Sequence, residues 1–262
     1  MKVSEAPPKK FDVGDGAAIP LKSDIGLFTA WRIAFFGAIA LLSYLVWAKP
    51  DPYLAIVKFV PDGIVVTFKV TIGAILLSLV IGLVAGLGRI STNRFVNGIA
   101  SLYVEVIRGI PLLVQIFYIY YALGRIIHVP DILSAIIAMS VCYGAYMGEV
   151  IRAGIQSIPK GQTEAALSLG MNKVQMMRHV ILPQAFRVIL PPIGNEFIAL
   201  LKDSSLVSIL AVADLLRRGR EFASESFTYF ETYTVIALVY LIITLFLSKL
   251  IGMMEERINA GK

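Results

Sequence analysis

The chain has 262 residues, 57% of them hydrophobic and 16% charged, with a net charge of +6. A soluble domain carries about 25% charged residues, so this apolar surplus exceeds what a water-soluble core of this length can hide, and lipid is the solvent that accepts it. The basic balance then reads as positive cytoplasmic loops, and no nucleic-acid partner is expected.

In chain order, Met1 to Ser23 is polar, holds Lys2, Lys9 and Lys10, and lacks the apolar run that follows closely in a secretory signal. Residues 1–30 are therefore expected to form a disordered or surface-lying cytoplasmic tail. A bilayer span needs about 20 largely apolar residues, and six candidates follow. The first, Trp31 to Trp47, has an indole at each end, as interfacial anchors do. Residues 31–61 thus read as one helix and an outer loop. The second runs from about Gly63 to Gly88. The third covers about Ile99 to Leu123, with Gly109 and Pro111 breaking its middle, and the fourth about Ile132 to Ile151. Cys142, the only cysteine, lies in the fourth; it excludes an internal disulfide, and His128 and His179 have no companion ligands, so no metal is expected. The fifth, about Phe186 to Leu201, is short and carries Pro191 and Pro192, which are expected to break it. The sixth is about Tyr229 to Ile251, leaving residues 256–262 as a cytoplasmic tail. With the N-terminus inside, fourteen Lys and Arg fall in cytoplasmic segments against six outside, which favours both termini inside.

The longest polar interruption is residues 152–184. Thr163 to Leu169 is rich in helix formers, Gly170 ends or turns that helix, Asn172 can cap a second one from Lys173 to Leu182, and Pro183 is expected to stop it. A folded helical loop on the cytoplasmic face suggests a docking surface.

Charges inside spans are costly and are functional candidates by default. Lys69, about two turns below the outer end of the second span, either snorkels to the interface or lies on a solute path. Glu105 and Arg108 are three apart and are expected to pair, as are Glu149 and Arg152, which could clamp the root of the loop. A helix broken at Pro191-Pro192 is tolerated where it lines a cavity, which would place Asn195 and Glu196 where a solute exchanges water for protein. Lys202, Asp203, Ser204 and Ser205 could continue that path, with helix–helix hydrogen bonding as the alternative. Arg217, Arg218 and Arg220, with Glu221 and Glu225, form either an amphipathic helix on the bilayer or a contact for a soluble partner.

The loop reads Glu164-Ala165-Ala166, three residues, Gly170, nine residues, Val180, one residue, Leu182-Pro183. This resembles the EAA loop of ABC importer permeases, E-A-A-x3-G-x9-I-x-L-P, with Val180 in place of Ile. Arg108 to Gln115 (RGIPLLVQ), Ala145 to Ile155 (AYMGEVIRAGI) and Lys202 to Leu206 (KDSSL) are similar to segments of the polar amino-acid, histidine/glutamine-type branch. The similarity covers about Asp62 to Glu255, so residues 62–255 are read as the permease domain and the first span as an addition to its five-helix core.

That resemblance implies an all-α integral membrane protein with the type I ABC importer transmembrane fold. It implies a pore-forming subunit, not an enzyme, in the inner membrane. Glu164, Ala165, Ala166, Gly170, Leu182 and Pro183 would couple the chain to a separate ATPase dimer that holds the ATP and magnesium. The chain itself has no G-x4-G-K-[ST] phosphate cradle. The further partners implied are a second permease subunit, identical or homologous, and an external amino-acid binding protein. An amino-acid zwitterion needs an acceptor for its ammonium and a donor for its carboxylate; Glu196 could be the first, and Asn195 could serve either. An ion-coupled secondary transporter is the alternative, since it too uses polar groups at membrane depth; a membrane enzyme is a third class, and no H-E-x-x-H or serine–histidine pattern supports it.

Overall fold

The computed structural model describes residues 29–126 and 129–260, all of whose regular elements are helical. The reading of the N-terminal tail falls mostly outside these residues, as does His128. Helix α1 (Ala30–Ala48) starts at Thr29, whose hydroxyl accepts from the Arg32 amide at 3.3 Å. Helix α2 (Pro50–Phe59) runs on into α3 (Pro61–Arg89) as a 40-residue stretch. The outer loop expected before residue 62 is therefore helix apart from a break at Asp51 (φ −100°, ψ 120°), and Pro61 sits in the first turn of α3, where a missing amide donor costs nothing.

Helices α4 (Arg94–Gly109) and α5 (Leu112–Ile126) meet at a 110° bend. The third span is thus two helices at a sharp angle, not one helix with a flaw. Buried Gln115 stitches the corner: its side-chain amide donates to the carbonyls of Ile107 (2.5 Å) and Ile110 (2.6 Å), and its oxygen accepts from the Cys142 thiol at 3.1 Å.

Helix α6 (Asp131–Gln156) is the axis of the molecule and runs parallel to α3, since Gly73 meets Ile136 and Gly82 meets Met147. Gly82 and Gly86 on α3 face Gly148 on α6. A Cβ built at Gly86 would lie 2.8 Å from the Gly148 carbonyl, so only glycine permits this backbone approach. The Ser140 hydroxyl adds a 3.2 Å bond to the Ala74 carbonyl.

Helix α7 (Lys160–Ser168), the short α8 (Lys173–Met176) and a π-helical turn (Met177–Ile181) lead directly into α9 (Leu182–Asp203). Two expectations fail here. Pro183 does not stop a helix; it occupies the first turn of α9. Pro191 and Pro192 do not break α9, which continues through both; proline is tolerated in membrane helices where neighbours and local adjustments re-satisfy the freed carbonyls. A 3-10 segment (Ser204–Leu210) then leads to α10 (Leu215–Ser226) and α11 (Tyr229–Ala260). Most of the expected C-terminal tail is therefore the last turn of α11. Among the described residues, α1, α2 with α3, α6 and α11 are long and apolar enough to cross a bilayer, and bent α4–α5 makes a fifth if it is one span. Helix α9 has the length, 22 residues or about 33 Å, but is less apolar.

The main core joins α3, α5, α6 and α9 through Val70, Ala74, Ile116, Met139, Met147 and Leu200. A second core, Ile151, Ile155, Ala166, Met176, Ile181, Ala185 and Ile189, roots the 157–181 loop on α6 and α9.

Candidate functional site

The loop is a capped knob. The Gly170 amide donates to the Leu167 carbonyl (2.9 Å) and the Met171 amide to the Ala166 carbonyl (3.2 Å), the paired bonds of a Schellman turn. Gly170 has φ +78°, in the left-handed region, so the sequence reading of a glycine-dependent turn agrees with the backbone. Asn172 forms a capping box with Gln175. Gln184 on α9 reaches across to Gln162 on α7 at 3.1 Å.

The placement of the loop residues differs in part from the expectation. Glu164 and Ala165 are exposed, whereas Ala166 is 3% exposed and faces the loop's own core. Successive helical residues turn by about 100°, so Ala166 cannot share the outward face of Glu164. Leu182 and Pro183 are exposed at the root of α9. The outward apolar face consists instead of Leu167, Leu169 (79% exposed) and Val174. Leucine and valine in an otherwise polar loop were the available signal for it.

Above the loop a polar seam follows α6. Tyr143, Tyr146, Glu149 and Arg152 recur every three residues, so each neighbours the next and the four wind around α6 as one polar strip. The Tyr143 hydroxyl donates to Asp203 Oδ2 at 2.7 Å. The rings of Tyr143 and Tyr146 lie 5.7 Å apart, and the Arg108 guanidinium sits 5.5 Å from the centroid of the Tyr146 ring. Glu149 is the hub: it binds Arg152 (2.9 Å), pairs with Arg89, and lies 3.7 Å from Arg108.

The expected Glu149–Arg152 pair is present. The expected Glu105–Arg108 pair is not among the ion pairs; Arg108 turns to Glu149, and Glu105 lies 3.9 Å from Arg89. The cause is that α4 crosses the α3–α6 seam, so charges on other helices come nearer than the residue one turn away. Arg89, Val104, Glu105, Arg108, Gly109, Tyr146 and Glu149 line a cavity of about 470 Å³.

On α9, half-buried Glu196 shares the electrostatic environment of Arg108 and Asp203, while Asn195 and Lys202 are exposed. Ser204 is fully buried and its hydroxyl donates to the Leu201 carbonyl at 2.8 Å. Lys69 stands on the exposed stripe of α3 with Val65, Ile72 and Leu76, away from the face that meets α6. Sequence reasoning missed Arg89, Tyr143 and Tyr146.

At the opposite end of α6 from the loop, α10 is an amphipathic helix capped by Asp214, whose carboxylate accepts from the Arg217 amide at 3.0 Å. Burial pushes the Asp214 carboxyl up to about 6, and the hydrogen bond from Arg217 holds Glu221 below the usual carboxylate range.

The family described as binding-protein-dependent transport system inner membrane component matches residues 78–260. The chain belongs to this family. It is therefore an inner-membrane permease component. The permease is 38% identical over 201 residues to the glutamine transport system permease protein GlnP of Escherichia coli (strain K12), covering 76% of this chain and 92% of that one. It is 36% identical over 203 residues to the arginine transport system permease protein ArtQ of Bacillus subtilis (strain 168), covering 77% and 92%, and 40% identical over 199 residues to the L-cystine transport system permease protein TcyB of the same organism, covering 75% and 85%. Among solved structures, an amino acid ABC transporter crystallised with histidines matches with 42% identity and a TM-score of 0.74, over 78% of this chain and 97% of that one. The MetNI methionine ABC transporter, at 18% identity and a TM-score of 0.65 over 80% and 98%, shares the fold.

Proposed function

We propose that this permease forms the path of an ATP-driven importer for polar amino acids, working by alternating access. The observation that carries the reading is the loop: a rigid knob, closed at Gly170, that turns Glu164, Leu167 and Leu169 outward while its own core is continuous with α6 and α9. Such a knob fits a cleft on a separate ATPase dimer, where ATP and magnesium would bind. A second permease subunit would complete the path, an external binding protein would deliver solute, and both termini would face the cytoplasm.

The class of solute is supported by the relatives named for glutamine, arginine and cystine and by the chemistry of the polar seam. A zwitterion needs a fixed cation and a fixed anion a few ångströms apart. Arg108 holds Glu149 only at 3.7 Å, and Glu105 holds Arg89 only at 3.9 Å, so neither is committed to a close hydrogen bond. Arg108 would take the carboxylate; Glu196 and Asp203 would take the ammonium. Asn195 and Lys202 lie on the exposed side of α9 and would meet solute from there, whereas Lys69 would snorkel from α3.

The test is uptake of labelled glutamine, arginine, cystine and histidine into proteoliposomes holding the permease, its ATPase and its binding protein. ATP-dependent uptake of at least one is expected. Gly170→Val forces a β-branched residue into a left-handed conformation at a cost of about 1–2 kcal/mol and should abolish uptake while the protein stays inserted. Parent-level uptake by that variant would sink the coupling assignment.

A further inference from the structure

Residues 30–60 precede the stretch matched by the family, yet they are built into the molecule. Helix α1 runs antiparallel along α11: the Trp31 indole N–H donates to the Leu245 carbonyl at 2.8 Å, and the Lys249 ammonium lies 5.9 Å from the Trp31 ring centroid. Helix α2 enters the corner where α10 meets α11. Tyr53, Ile56 and Val60 are buried in one apolar cluster with Leu215, Val235 and Ile236.

Phe59 connects α2 to α10 twice, through Phe222 with ring centroids 5.4 Å apart and through the Arg218 guanidinium 5.2 Å above its ring. Arg218 is held in turn by Asp62 at the start of α3 (2.9 Å from Nε) and by Glu221 (3.2 Å). Three elements therefore converge on one face of α10, while Arg220, Ser224 and Glu225 on its other side stay exposed. A helix of 12 residues is marginal in water by itself, so its position depends on the surface it rests on.

We propose that the α1–α2 hairpin is a positioning brace for α10, locking the rim of the permease to α3 and α11 through Phe59 and Ile56. The helix that carries the exposed rim charges then moves with the bundle instead of lying loosely on it. This goes beyond the transport reading and does not depend on which solute is carried.

Hydrogen exchange of the full-length permease in lipid nanodiscs tests it, because the readout is local and independent of uptake. With Ile56→Ala and Phe59→Ala together, amides of residues 215–226 should exchange about tenfold faster or more, while those of residues 131–156 keep the parent rate. Phe59→Leu alone keeps apolar volume but removes both ring contacts, and serves where the double variant fails to insert; it should accelerate α10 about threefold. Parent-level exchange of α10 in an inserted variant would overturn the brace and leave α1 as an extra lipid-facing span.

Discussion

Toward α3, helix α6 presents Gly148 and the Met147 backbone, and the two main chains touch. Toward α4 and α9, the same helix presents Tyr143, Tyr146, Glu149 and Arg152, held by hydrogen bonds and ion pairs beside an open cavity of about 470 Å³. The first contact has no room and no alternative partners; close-packed surfaces of that kind do not deform continuously. The second mixes close pairs, Glu149 with Arg152 at 2.9 Å and with Arg89, with looser ones at 3.7 and 3.9 Å. The contrast sets a close-packed α3–α6 frame against a seam with room to rearrange, where the proposed solute path would run.

The largest effect should come from filling the frame. A Cβ at Gly148 already meets the Ala85 Cβ at 3.1 Å, so Gly148→Leu should cost about 3 kcal/mol and abolish the monodisperse gel-filtration peak after solubilisation. A sharp peak with an unchanged melting temperature would mean that the seam is looser than its geometry, and the contrast would collapse. On the other face, Arg108→Ala should leave thermal stability near that of the parent and lower solute-stimulated ATPase activity by about tenfold or more. Lost folding there, with normal activity in the protein that survives, would assign Arg108 to the frame. The smallest effect is expected from Tyr143→Phe, which removes one bond to Asp203 worth about 1 kcal/mol; uptake should fall a few-fold, and a wholly unchanged rate would detach Asp203 from the path.

How far the sequence carried depended on the kind of signal. The knob was legible because a left-handed glycine, a capping asparagine and a run of helix formers are local features, and Gly170 and Asn172 behave as their chemistry requires. Ala166 was misplaced although helical periodicity alone puts it on the face opposite Glu164. Pro191 and Pro192 misled because the rule that proline breaks helices was learned in water, whereas one side of α9 packs on its neighbours, with Ile251 against Gly194. Gln115 could not be understood from pattern at all: its three bonds exist only because α4 and α5 meet at 110°. The Glu105–Arg108 pairing failed for the same reason, since a helix crossing brings partners that spacing along one helix does not report.

The junction at Met177–Ile181 has a mechanical consequence. No loose residue separates the knob from α9; the backbone passes from α8 through the π turn into a continuous helical arm of about 33 Å that ends at Asp203. Under the proposed coupling, a pull on Leu169 would pass through the π turn into α9, and the Tyr143–Asp203 bond would be the contact farthest along that arm to feel it.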